Sequence, residues 1–241
     1  MALLRCLTIA VLSTIPLTTA LTPGPEFVRL NKTDALVIVA DHQVGLFHVV
    51  RDFEPTEFRN NILAHAGLAQ LFSLPIVLTT SAETGPNGPL PREIRDMHPD
   101  APLIKRNGEV DAWDNAEFRR AVEDTGKSQV ILGGITTDVC TLALALSLRA
   151  AGYTVFANTD ASGTFSARLA ADANRRMQDA GVVLMGMFAL AMDLMRDWRA
   201  DPGIAQVLPF LDTYLPAYGY VARAHRGAVE AGTVPEGEAG L

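Results

Sequence analysis

The sequence predicts an α/β fold of three layers, with helices on both faces of a mostly parallel six-stranded sheet. Apolar runs of strand length alternate with segments of helical period from Asp34 to about Arg199. The β-α-β order repeats with helix-length crossovers, the connection that parallel strands require. Hydrophobic residues make up 49% of the 241 residues and charged ones 20%, enough apolar material to cover a sheet on both sides.

Residues 35–40 (ALVIVA) are continuously apolar and rich in β-branched side chains, the pattern of a strand buried on both faces. Residues 55–72 place Phe58, Ile62, Leu63, Ala66 and Ala69 near helical spacing and predict a helix. The second strand is 75–80 (PIVLTT) and the third 102–105, which ends at Lys105 and Arg106. A helix over 114–125 has Asp114 or Asn115 as its N-cap. The fourth strand, 129–133 (QVILG), leads into a Leu- and Ala-rich helix over 139–151 that Gly152 stops. A strand at 153–158, a helix at 166–180 ending at Gly181, a strand at 182–185 and a helix at 188–199 complete the pattern. No repeat or low-complexity linker divides this stretch, so residues 30–200 read as one domain. Residues 201–241 are a C-terminal extension richer in Gly and Pro, whose last ten or so residues read as a mobile tail. Before that tail, Leu208, Phe210, Leu211, Tyr214, Leu215, Tyr218 and Tyr220 are too apolar for free solvent; they call for burial on the domain's own surface or on a neighbouring subunit.

The charge balance, 20 Lys plus Arg against 27 Asp plus Glu, gives a net charge of −7 and argues against a nucleic-acid partner. Two cysteines, Cys6 and Cys140, with no C-x-x-C pair, exclude a disulfide framework and a structural zinc site. The five histidines lack metal-ligand spacing, and no catalytic metal or cofactor is expected. Residues 1–22 read as a leader: one early charge, Arg5, an apolar run, then Thr18-Thr19-Ala20. This fits a secretory signal peptide, which makes the protein secreted or periplasmic; a mitochondrial presequence or an unprocessed leader of a cytoplasmic protein is the alternative. The run is short of the roughly 18 to 20 residues a membrane span needs, so no membrane anchor is expected.

In an open parallel sheet, ligands bind beyond the carboxyl ends of the strands. Asp41 stands directly after ALVIVA, either as a general base whose pKa is raised by burial or as the cap of the next turn. Lys105 and Arg106 are adjacent strand residues on opposite faces, so only one of them can face the site. The stretch GGITTDVCT, residues 133–141, ends a buried strand in two glycines and puts Cys140 at a helix start. Unpaired N–H groups there favour a thiolate and can hold an oxyanion; the alternative is a small core residue. The loop after the second strand, with Glu83 and Asn87, is placed to wall the same site, and its prolines rule out a phosphate cradle.

Asp41, a cation before a loop ending in Ala112-Trp113, and the G-[IV]-x-T-[DN]-x-C pattern at 134–140 together resemble the isochorismatase-like cysteine hydrolases. The stretches DHQVGL, LTTSAETGPNGP, AWDN and TDASGTF are similar to the YcaC-type subgroup, and the likeness runs from about Leu30 to Arg199. The resemblance implies the isochorismatase-like hydrolase fold and a triad of Asp41, a cation and Cys140. Spacing before Asp111 selects Arg106 as the cation, while residue type selects Lys105. It further implies a cis peptide at Ile135-Thr136, with the N–H groups of Thr136 and Cys140 as the oxyanion hole. A metal-independent hydrolysis of a small amide or ureide through a Cys140 thioester follows, with homo-oligomers of four or eight chains. The metal-binding nicotinamidases carry an aspartate and histidines where this chain has TTSAETGPNGP, a departure that argues against nicotinamide as the substrate. Phe47 and Trp113 are candidates for an apolar pocket wall, for core packing or for subunit contacts. A thiol-redox or adduct protein, and a non-catalytic oligomeric binding protein on the same scaffold, are the competing readings.

Overall fold

The computed structural model describes residues 27–234, so the leader at 1–22 and the final residues of the tail lie outside the described part. Six parallel strands form one sheet in the order β3-β2-β1-β4-β5-β6: β1 (Ala35–Ala40), β2 (Ile76–Ser81), β3 (Leu103–Arg106), β4 (Gln129–Gly134), β5 (Thr154–Asn158) and β6 (Val183–Met185). Strand periodicity explains why β1 lacks polar residues. Ala35, Val37 and Val39 enter one core, and Leu36, Ile38 and Ala40 the other. The first core is closed by α1 (Pro55–Leu71), α2 (Arg92–Met97) and α6 (Met187–Met195), the second by α3 (Ala116–Glu123), α4 (Leu142–Ala150) and α5 (Ala167–Asp179). This is the three-layer α/β/α arrangement that the alternation of elements implies.

Local capping follows the side chains. Glu54 accepts from the Glu57 N–H at 2.9 Å ahead of Pro55 in α1, and Asn115 rather than Asp114 caps α3, accepting from the Phe118 N–H at 3.0 Å. Three helices differ from expectation. The short α2 carries only one buried apolar residue, Ile94, too few for a periodicity to register. The chain after Asp201 forms α7 (Ile204–Tyr214) and α8 (Pro216–Glu230). Val207, Phe210 and Leu211 of α7 are buried on the domain's own surface against α1, and Asn60 donates to the Tyr214 carbonyl at 2.5 Å. Tyr218 stacks on Trp198 with ring centroids 5.7 Å apart, while Tyr220 stays exposed.

The order of strands positions the site. The chain runs outward from β1 through β2 to β3, then returns to place β4 on the other side of β1. The β1–β4 junction is therefore the topological switch point, where a crevice forms beyond the strand ends. Asp41 directly follows β1, and the turn carrying Cys140 directly follows β4.

Candidate active site

Asp41 is fully buried and has a left-handed backbone, φ 58°, which is uncommon outside glycine. Neighbouring strands hold it there: its N–H donates to the Thr79 carbonyl at 3.0 Å, and its carbonyl accepts from the Gln43 N–H at 2.6 Å. It caps no helix. Its carboxylate is paired through Oδ1 with a guanidinium N–H of Arg106, both side chains being fully buried.

Arg106 is the last residue of β3, aligned with Ser81 of β2. Its three kinds of donor point in three directions: Nη2 to Asp41, Nη1 to the Glu109 carbonyl, and Nε to Thr79 Oγ1 at 3.0 Å. Thr79 in turn donates its hydroxyl hydrogen to the Ile104 carbonyl at 2.9 Å, which leaves a lone pair for Arg106. Strand alternation sends Lys105 the other way. It is exposed and pairs with Glu83 at 3.1 Å, while Glu83 also accepts from the Thr80 hydroxyl at 3.0 Å. Of the two candidate cations, the fold brings Arg106 to Asp41 and leaves Lys105 at the rim.

The turn after β4 has a cis peptide at Ile135-Thr136 and continues as a π-helical turn, Thr137–Thr141, before α4 begins at Leu142. Cys140 thus lies in that π turn and not in the first turn of the α-helix. Gly134 is required by close approach, because a Cβ there would sit 2.7 Å from both the Ala40 carbonyl oxygen and Thr141 Oγ1. Cys140 is half-buried and its thiol faces the Asp41 carboxylate. Asp41 Oδ2 has no hydrogen-bond partner among the described residues, which leaves it free to accept a proton from the neighbouring thiol. The backbone of Thr136 lies beside the thiol and favours its charged form.

The electrostatics reverse the expectation of a ready-made thiolate. Burial pushes the Cys140 thiol up to about 12, and the Asp41 carboxylate beside it pushes the same way, against the Arg106 charge and the Thr136 backbone. A helix-start position lowers a thiol only where the field of its own turn dominates. Here a carboxylate next door and the loss of solvent outweigh it. Burial likewise raises the Asp41 carboxyl above its ordinary range, with Arg106 opposing. The resting pair is a thiol beside a carboxylate of enhanced basicity.

The remaining candidates divide. A cavity of about 400 Å³ lies beside Arg106, walled among others by Ala82, Glu83, Pro89, Lys105 and Asn107. Asn87 donates to the Ser81 carbonyl at 2.9 Å and so shapes the loop. Phe47 packs edge-on against Phe58 in the first core. Trp113 packs edge-on against Phe118 and Tyr153 in the second. Neither ring lines that cavity. Sequence reading passed over Gln43, which is fully buried and clamps the loop by accepting from the Ser81 N–H at 2.8 Å and donating to the Ser81 and Gly88 carbonyls. It also passed over Thr79, whose signal is a buried hydroxyl where the apolar run of β2 turns polar. No group of three or more His, Cys, Asp or Glu residues with metal-holding geometry occurs among the described residues.

The isochorismatase domain family matches residues 34–187, a span that contains all three residues of this cluster. The chain belongs to the isochorismatase family, in its YcaC-type subgroup. It is 48% identical over 192 residues to the probable hydrolase YcaC of Escherichia coli K12, covering 80% of this chain and 91% of that one. The crystal structure of the E. coli YcaC product, described as an octameric hydrolase of unknown specificity, superposes with a TM-score of 0.82 at 46% identity over 85% of this chain and 99% of that one. YcaC from Pseudomonas aeruginosa, solved with hexane-2,5-diol and covalent acrylamide, gives 0.81 at 47% identity over 83% and 98%.

Proposed function

We propose that this protein is a cysteine hydrolase that cleaves a carbon–nitrogen bond of a small amide or ureide, with Cys140 as nucleophile, Asp41 as base and Arg106 as the fixed cation. The observation that carries the reading is the buried cluster itself: a thiol facing a carboxylate that is oriented by a guanidinium. A thiol near 12 is useless as a free nucleophile at neutral pH, so attack must be coupled to transfer of its proton. Asp41 accepts that proton as the sulfur bonds to the carbonyl carbon, and Arg106 stays protonated throughout. The carbonyl oxygen becomes an oxyanion, for which the backbone N–H groups of Thr136 and Cys140 are the proposed donors; the Thr136 backbone already favours negative charge at this turn. Collapse breaks the C–N bond, and the proton on Asp41 leaves with ammonia or an amine. Water then attacks the thioester, gives a proton to Asp41, and releases the acid as the thiol is restored.

The membership in this family and the likeness to a probable hydrolase support hydrolysis, and the octameric E. coli relative supports a homo-oligomer here. The covalent acrylamide in the P. aeruginosa relative, an electrophile to which nucleophiles add at the double bond, supports a reactive nucleophile in that protein and, by likeness, here.

The test combines turnover with thiol titration. Ammonia release from a panel of small amides and ureides is expected for the wild type and should fall more than about 100-fold in Cys140→Ala and Asp41→Asn. The pH profile of Cys140 alkylation by iodoacetamide should climb steadily through the alkaline range in the wild type. In Asp41→Asn a negative charge that opposes the thiolate is gone while the Arg106 charge remains, so the profile must shift to lower pH. Turnover that survives Cys140→Ala, or a Cys140 profile indifferent to Asp41→Asn, overturns the reading.

A further inference from the structure

We propose that His42 is a positioning residue that locks the turn carrying Asp41 to the turn carrying Cys140. The inference rests on the hydrolase reading above and concerns how its two reacting groups are kept at a fixed separation.

His42 follows Asp41 in the chain and is fully buried. Its Nε2 lies 2.8 Å from the Ala161 carbonyl oxygen, which can only accept, so Nε2 carries the hydrogen and donates. Nδ1 then bears the lone pair and has no partner among the described residues. Ala161 belongs to the loop between β5 and α5, and that loop grips the nucleophile's turn at three points. Gly163 forms a parallel bridge with Ile135, its carbonyl accepts from the Thr137 N–H at 3.1 Å, and the Thr164 hydroxyl donates to Asp138 at 2.6 Å. These contacts lie on both sides of the cis peptide and just before Cys140. The path from Asp41 to Cys140 through His42 is one peptide, one hydrogen bond and one short loop.

A second imidazole anchors the same loop from behind. His65 of α1 stands edge-on to His42, with ring centroids 5.9 Å apart. Its Nε2 donates to the Ile38 carbonyl at 3.0 Å, and its Nδ1 accepts from Asn158 at 3.1 Å. Asn158 Oδ1 accepts from the Asp160 N–H at 3.2 Å and its carbonyl from the Ser162 hydroxyl at 2.9 Å. Gly133 of β4 gives the ring room, since a Cβ there would stand 3.0 Å from His65 Nε2. Burial lowers His42 to about 3, with His65 adding to it, and lowers His65 to about 4. Both rings are therefore neutral at physiological pH, and each keeps one donor and one acceptor side. A Phe or Leu at position 42 would serve packing alone; a buried donor aimed at a loop carbonyl selects one arrangement of the strand ends.

The test reads the separation of Asp41 and Cys140 through the alkylation pH profile of Cys140 in the intact chain. His42→Gln keeps an amide N–H at about the reach of Nε2, whereas His42→Asn is too short for Ala161. We expect His42→Asn to move the profile to lower pH by about one unit or more, as the Asp41 charge ceases to oppose the thiolate at close range, and His42→Gln to leave it in place. Val122→Ala, in the core on the other side of the sheet, should lower thermal stability without moving the profile. If His42→Asn does not fold, Thr164→Val releases the same loop from the Cys140 turn and should shift the profile in the same direction. A profile unmoved in the folded loop-releasing variant, or moved as far by Val122→Ala, overturns the proposal. Asp41→Asn in parallel separates the two failures: if it shifts the profile and the His42 variants do not, only the positioning role falls. If Asp41→Asn itself leaves the profile unmoved, the hydrolase reading falls and the proposal with it.

Discussion

Lys105 and Arg106 are consecutive on one strand and each pairs with a carboxylate, yet the two pairs belong to different physical regimes. Lys105 meets Glu83 at the rim, where the lysine side chain is 60% exposed and solvent screens the attraction. Arg106 meets Asp41 with both side chains out of water, so their desolvation must be offset by geometry: the guanidinium is satisfied by Asp41, Thr79 and the Glu109 carbonyl together. The same strand thus supplies a solvated wall residue and a buried charge one position apart. Alternation of a strand, and nothing about the two residue types, decides which is which.

The largest effect that sharpens this contrast is expected at Arg106. Arg106→Met leaves the Asp41 carboxylate buried without its counter-charge, and breaking such a pair from one side destabilises by about 3–5 kcal/mol. Urea unfolding followed by circular dichroism measures it. The loss should diminish at low pH, because a carboxyl that takes up a proton no longer needs the cation. A loss below about 1 kcal/mol would mean that Asp41 is already neutral in the folded protein, and the contrast between the two pairs would then vanish.

An intermediate effect is expected at Thr79. Thr79→Val keeps shape but removes the oxygen that accepts from Arg106 Nε, leaving a charged donor unpaired in the interior, for about 1–3 kcal/mol. Its alkylation profile at Cys140 is the informative readout. If Thr79 only satisfies the guanidinium, stability falls and the profile stays; if it also aims Arg106 at Asp41, the profile moves as well. A variant as stable as the wild type would show that the Nε contact contributes nothing to holding Arg106.

How much of this was legible in the sequence follows from the range of the forces involved. The central strands β1 and β4 were readable because their apolar runs leave a buried parallel strand no other place, and Asp41 and Cys140 because they follow the points where those runs stop. The strand alternation at 105 and 106 was readable as a choice but not as its answer, since only the register of β3 on β2 settles which face looks at Asp41. The helices α7 and α8 were not readable: Pro209 lies inside α7, and Gly219 and Gly227 inside α8, so propensity argues against what packing of α7 on α1, and of α8 on α7, makes stable. The thiol was misjudged for the same reason. A local argument from a helix start predicts a lowered pKa, while the group that raises it, Asp41, is 99 residues away in the chain and adjacent in the fold.

The smallest effect is expected at the rim, and it tests the comparison from its weak side. Lys105→Ala removes an exposed partner and should change stability by no more than about 1 kcal/mol, a difference that shrinks further as salt is raised. Glu83 then keeps the Thr80 hydroxyl at 3.0 Å, so the loop that walls the cavity beside Arg106 is still tied to β2. The alkylation profile of Cys140 should be that of the wild type, because Asp41 and Arg106 are the charged groups that set it. Turnover of a neutral amide should survive, with any change confined to KM, since a wall residue alters entry and binding but not the proton transfer. If Lys105→Ala instead abolished turnover and shifted the Cys140 profile while Arg106→Met did neither, the charge that serves the thiol would be the solvated one, and the division between rim and interior would be the wrong way round.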